Sequence, residues 1–129
     1  MTFRRLFALA LFGLLALAPL AHAQSTAING TIEGAVKDTT GAVLPGVAIN
    51  VANVDTGAQR SLTSGADGGY RALLLPLGTY KVRAEIQGFK AAERTGVRLS
   101  AGQTAVLNFT LEVGGVQEVI SVSGEAPVV

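Results

Sequence analysis

The chain has 129 residues, ten Lys and Arg against nine Asp and Glu, one His, and neither Cys nor Trp. That excludes a disulfide framework and a lipid-modified cysteine, and the basic residues after Arg5 stand singly among acids instead of forming the aromatic-interleaved stripe of a nucleic-acid binder. With a leader over 1–23 removed, 106 residues remain, carrying eight basic and nine acidic side chains and a formal charge of −1, enough chain for one modest core.

The leader opens the chain. Arg4 and Arg5 precede an apolar run over 6–18 that only Gly13 interrupts, followed by Pro19 and the small-x-small triplet Ala21-His22-Ala23. This is the pattern of a cleavable signal peptide. The run of 13 residues is shorter than the roughly 20 a membrane-spanning helix needs. Cleavage after Ala23 and export by general secretion are therefore expected, with Gln24 starting the mature protein.

From residue 29 onward apolar and polar residues alternate with period two, the mark of half-buried strands. Strands are predicted over 29–37, 46–54, 58–64, 69–74, 79–87, 89–95 and 104–113. The pattern is cleanest over 79–87, where Tyr80, Val82, Ala84 and Ile86 share one face and Lys81, Arg83, Glu85 and Gln87 the other. Over 104–113 Ala105, Leu107, Phe109, Leu111 and Val113 share a side. Asp38-Thr39-Thr40-Gly41, Asp55-Thr56-Gly57 and Asp67-Gly68-Gly69 are turns, each joining an Asp that bonds its own backbone to a Gly that tolerates positive φ. Pro45-Gly46 and Pro76-Leu77-Gly78 join a fixed φ to a free one. Leu73, Leu74 and Leu75 cannot all face one core, so at least one meets solvent or a neighbour. Short strands about ten residues apart, divided by turns, predict an all-β, seven-stranded antiparallel β-sandwich over 24–113. After Gly114-Gly115, residues 114–129 read as an extended linker.

Catalysis finds no residues to use. His22 leaves with the leader, which removes a Ser-His-Asp triad, a thiol nucleophile and any zinc site built on His or Cys from the mature chain. Glu33, Asp38, Asp55, Asp67, Glu85 and Glu93 read as turn formers or solvated strand residues, and calcium would need several carboxylates in one short loop. No catalytic, cofactor-binding or metal-binding residue is assigned, and the chain is read as not an enzyme. For sugar recognition, Tyr70, Tyr80 and Phe109 fall on inward positions; Phe89, after Gly88, is the aromatic left to contact a ligand, and its other reading, the preferred one, is a lid on the end of the sandwich.

The blocks Gly30-Thr31-Ile32-Glu33-Gly34-Ala35-Val36-Lys37-Asp38, Gly41-Ala42-Val43-Leu44-Pro45-Gly46-Val47, Asp67-Gly68-Gly69-Tyr70 and Leu77-Gly78-Thr79-Tyr80-Lys81-Val82 resemble the carboxypeptidase regulatory-like family. Gly88-Phe89-Lys90 and Leu99-Ser100-Ala101-Gly102-Gln103-Thr104 continue the resemblance. It implies an Ig-like or prealbumin-like sandwich related to carbohydrate-binding modules, and it implies no peptidase activity, which belongs to a separate catalytic domain. Such modules stand at the N-terminus of outer-membrane receptors of the TonB-dependent class. The tail resembles the segment joining module to plug, and Glu118, Val119, Ile120, Ser121 and Val122 are similar to a TonB box. The implied partner is a TonB-type energy-transducing protein or a neighbouring receptor domain, and the implied location the periplasm and outer membrane. A secreted carbohydrate-binding module is the alternative.

Overall fold

The computed structural model describes residues 28–115 and 119–123, and among them every regular element is a strand. These are β1 (Asn29–Asp38), β2 (Ala48–Asn53), β3 (Gln59–Thr63), β4 (Gly69–Pro76), β5 (Gly78–Glu85), β6 (Ala91–Leu99), β7 (Thr104–Val106), β8 (Phe109–Leu111) and β9 (Val119–Ser123). One sheet runs β4-β1-β7, with β8 also on β1; the other runs β3-β2-β5-β6-β9. The signal peptide expected over 1–23 lies outside the described residues.

Alternation decides how each strand faces. In β5, Tyr80, Val82 and Ala84 are buried, Lys81 is exposed, and Arg83 and Glu85 are half-buried. Val82 sits opposite Val51 of β2. The inner face so formed meets Ile32 and Val36 of β1, together with Leu107, Phe109 and Leu111, in one shared core.

The prediction of seven antiparallel strands needs correcting: nine strands are present among the described residues, and both sheets are mixed. The strand expected over 104–113 divides into β7 and β8 because the chain steps out of the ladder at Leu107 and Asn108. There the Leu107 N–H donates to the Glu33 carbonyl at 2.8 Å, and the Ala35 N–H donates to Asn108 Oδ1 at 3.0 Å. Both pieces run parallel to β1, with Thr31 beside Thr104 and Val36 beside Phe109. Parallel pairing needs a crossover connection, and the chain supplies one by returning from β6 in the other sheet. The strand expected over 89–95 instead begins at Ala91 and continues to Leu99. It does so through a bulge opposite Lys81, where Gly96 takes φ 69°.

Of the tail, the described residues Val119–Ser123 form β9 in parallel register on β6, Ala92 beside Ile120 and Arg94 beside Val122. A free strand edge on β6 is a non-local partner, which local sequence does not announce.

The three leucines resolve by a bulge. Gly30 pairs with Leu75 and Ile32 with Ala72, so two residues of β4, Leu73 and Leu74, stand against Thr31. Leu75 turns into the core, while Leu73 and Leu74 remain 52% and 71% exposed. Leu74 takes φ 55°, a left-handed conformation that costs a non-glycine residue about 1–2 kcal/mol.

Burial at Val82 fixes the register of β5, so Val82→Asp should forfeit about 1.5–3 kcal/mol of side-chain burial, with an unpaired charge added. Arg83, which pairs with Glu85 at 3.1 Å and Glu93 at 3.9 Å on the outer face, should tolerate Arg83→Gln at a cost of about 1 kcal/mol or less. Thermal melts of the two variants check this: the first unfolded at room temperature or melting far lower, the second within a few degrees of wild type. Equal losses would mean a register shifted by one residue.

Candidate functional site

The carboxylates weighed in the sequence are occupied by local structure. Asp38 Oδ1 accepts from the Thr40 hydroxyl at 2.6 Å, the Thr40 N–H at 2.8 Å and the Ala42 N–H at 3.1 Å. These bonds, the Thr40 hydroxyl foremost, hold the carboxyl below its ordinary 3.8. Asp67 accepts from the Gly69 N–H at 2.9 Å and Asp55 from the Thr79 N–H at 3.0 Å, each bracing a turn. Glu33 pairs with Arg71 at 2.6 Å across β1 and β4. Among the described residues, no three Asp, Glu, His or Cys side chains gather as a metal site.

The aromatic residues serve the interior. Tyr70 donates to the Leu107 carbonyl at 2.6 Å, and Tyr80 to the Pro76 carbonyl at 2.5 Å. Burial pushes the Tyr70 hydroxyl well above the ordinary phenol range, with Arg94 opposing weakly. Phe89 is half-buried and packs against the core, bridged through its backbone to Val113. It closes one end of the sandwich instead of standing out as a flat platform.

Several hollows lined by the described residues reach the surface, two of them beside β1 and β9. The larger, about 450 Å³, is an open trough lined by Glu33, Gly34, Asp67, Gly69, Tyr70, Arg71 and Val106. The sequence reading missed it because its lining residues from β1, β4 and β7 come together only once the register is known. The second, about 230 Å³, lies between β8 and β9, with Phe109, Asn108 and Thr110 on one side and Ile120 and Val122 on the other. The Arg94 guanidinium stands over the Phe109 ring at 6.0 Å.

Of the expected partner-binding residues, Val119, Ile120, Ser121 and Val122 lie together on β9, and Glu118 lies outside the described residues. β9 is the edge of its sheet among the described residues. The other edges are blunted, as edge strands in soluble proteins commonly are. The β4 edge carries the Leu74 bulge, and Arg60 of β3 donates to the Leu73 carbonyl, lacing those two edges together. The β7 and β8 edge is broken into two three-residue pieces. β9 alone offers five continuous residues without charge or bulge.

Among the described residues the chain is thus a four-on-five mixed β-sandwich. The chain belongs to the carboxypeptidase regulatory-like domain family, whose model matches residues 31–112. It is similar to the TonB-dependent transporter Oar of Myxococcus xanthus, 28% identical over 109 residues, which is 84% of this chain and 10% of that protein. The chain thus spans about a tenth of that relative. Among solved structures, a Bacteroides uniformis protein assigned to carbohydrate binding superposes with a TM-score of 0.53 at 26% identity, over 64% of this chain and 41% of that one. The Bacillus anthracis TIE protein shares the fold, with a TM-score of 0.55 at 22% identity, over 66% of this chain and 16% of its own. Catechol 1,2-dioxygenase of Acinetobacter radioresistens also shares it, with a TM-score of 0.54 at 13% identity, over 82% of this chain and 60% of its own, so the fold is found in enzymes as well as binding modules.

The depressed carboxyl of Asp38 gives a pH signature. A group whose folded pKa lies below its unfolded value stabilises the fold above the unfolded value and ceases to do so as pH falls through the folded one. The melting-temperature gap between wild type and Asp38→Asn should therefore be open at pH 7 and narrow steadily below about pH 4. A gap independent of pH would show that Asp38 acts only as a neutral hydrogen-bond acceptor.

Proposed function

We propose that this sandwich is a non-catalytic extracytoplasmic module, the N-terminal interaction or spacer domain of an outer-membrane TonB-dependent receptor. The observation that carries the reading is one of proportion: a family domain fills most of this chain, and the same chain aligns with a tenth of a TonB-dependent transporter. Residues 1–23 would direct export, 24–113 form the module, and 114–129 lead on from it with the TonB box at 118–122. The module acts as a rigid spacer, and its partner is a TonB-type energy-transducing protein or a neighbouring receptor domain. Recognition would proceed by strand addition, main-chain hydrogen bonds supplying affinity and alternate side chains specificity. A location in the periplasm and outer membrane follows from the same likeness.

Proline at 120 removes a backbone donor and blocks strand pairing. The exported full chain should be captured by the periplasmic domain of a TonB-type protein, and Ile120→Pro should abolish capture while moving the melting temperature by no more than a few degrees. Absence of capture by the unaltered chain overturns the assignment.

A second reading, a secreted carbohydrate-binding module, is favoured by the likeness to the Bacteroides uniformis protein. Phe89 is its candidate contact. Titration of starch, cellulose and peptidoglycan fragments against the chain should show no saturable binding; micromolar affinity lost in Phe89→Ala would move the conclusion to this second reading.

A further inference from the structure

Like β3, β9 contributes no described buried side chain to the shared core. Its described side chains stay largely open to water, Val119 at 42%, Ile120 at 37% and Val122 at 49% exposed, and none belongs to the shared core. Ile120 and Val122, two apart and so on one face, look across a hollow of about 230 Å³ toward Phe109, Asn108 and Thr110. A strand that faces a gap forgoes the dispersion contacts of close packing. What remains is main-chain pairing with β6, and such bonds add little net stability once those lost to water and the ordering of the backbone are counted. Elements with few buried apolar contacts open well below the global unfolding transition.

We propose that β9 is a releasable strap, and that its docking on β6 and its capture by a partner's sheet are alternative states of one segment. This rests on the strand-addition reading above and adds its regulation. The reason the two states exclude each other lies in the side chains. The apolar pair Ile120 and Val122 faces the cleft beside β8 when β9 is docked, so a partner that reads the pair in its own pockets has to take it out. Docking on β6 therefore sets the fraction of chains open to capture, in proportion to the population of the released state.

Wild type has no cysteine, so a single engineered bridge can lock the strap. Thr95 and Ser123 are direct neighbours in the register, Ser123 lies outside the candidate residues 118–122, and adjacent strands lie about 4.7–4.9 Å apart, within disulfide reach. Thr95→Cys with Ser123→Cys, made in the full chain, is compared oxidised and reduced, with the reduced form as its own control for the substitutions. Hydrogen exchange in wild type should be at least 100-fold faster at 119–123 than at 80–84 of β5, and oxidation should slow it. Capture by the periplasmic domain of a TonB-type protein should fall at least tenfold on oxidation and return on reduction. Exchange at 119–123 as slow as in β5 overturns the proposal, because the strand is then integral. Equal capture by both redox forms also overturns it, because the partner then pairs with β9 in place. Fast exchange that the lock suppresses, with no capture in either form, upholds the strap and removes the TonB reading.

Discussion

One close approach organises the first sheet. At Gly34 a Cβ atom would lie 1.7 Å from the Leu107 carbonyl oxygen, so no residue but glycine lets the chain cross there. The same oxygen accepts the Tyr70 hydroxyl at 2.6 Å, and the Leu107 N–H reaches back to Glu33. That crossing is where β1 exchanges its parallel partner from β7 to β8. Leu107 and Phe109 can then both be buried, closing the core beneath β1.

The consequences run outward from that point. Because the ladder along β1 is split, its outer edge offers only short pieces, and the opposite edges of the two sheets are tied by Arg60. The domain thus becomes a closed scaffold on three sides. Bare backbone is left on the fourth, along β9, whose described side chains are all exposed. Under the proposed reading recognition would fall on this edge, as expected where binding elements come from the low-stability end of a fold.

How much of this the sequence disclosed depended on range. Strand facing was legible wherever side chains alternate, as at Tyr80, Val82 and Ala84, because the pleat makes burial a local property. Turns at Asp38, Asp55 and Asp67 were legible because they too are local. The break between β7 and β8 was not. Ala105, Leu107, Phe109 and Leu111 are all buried, so the period-two pattern runs unbroken through a step out of the ladder. Strand direction and the seating of β9 depend on partners tens of residues away, and the trough at Gly34 and Gly69 on their pairing; none leaves a local mark. In the candidate strand Val119 to Val122 were singled out by resemblance, while the edge they pair with, Ala91 to Arg94, left no mark in the sequence.

The central claim is that the Gly34 crossing holds the fold together, and equilibrium unfolding by denaturant of Gly34→Ala tests it most directly. Gly65→Ala is the control, since its added Cβ would meet only the Asp67 carboxylate, at 3.3 Å, and the Gly69 carbonyl, at 3.8 Å. The account predicts a loss of about 3 kcal/mol or more for Gly34→Ala, the upper range for forcing atoms into a filled site, with little change in the control. A Gly34→Ala protein as stable as the control would contradict it.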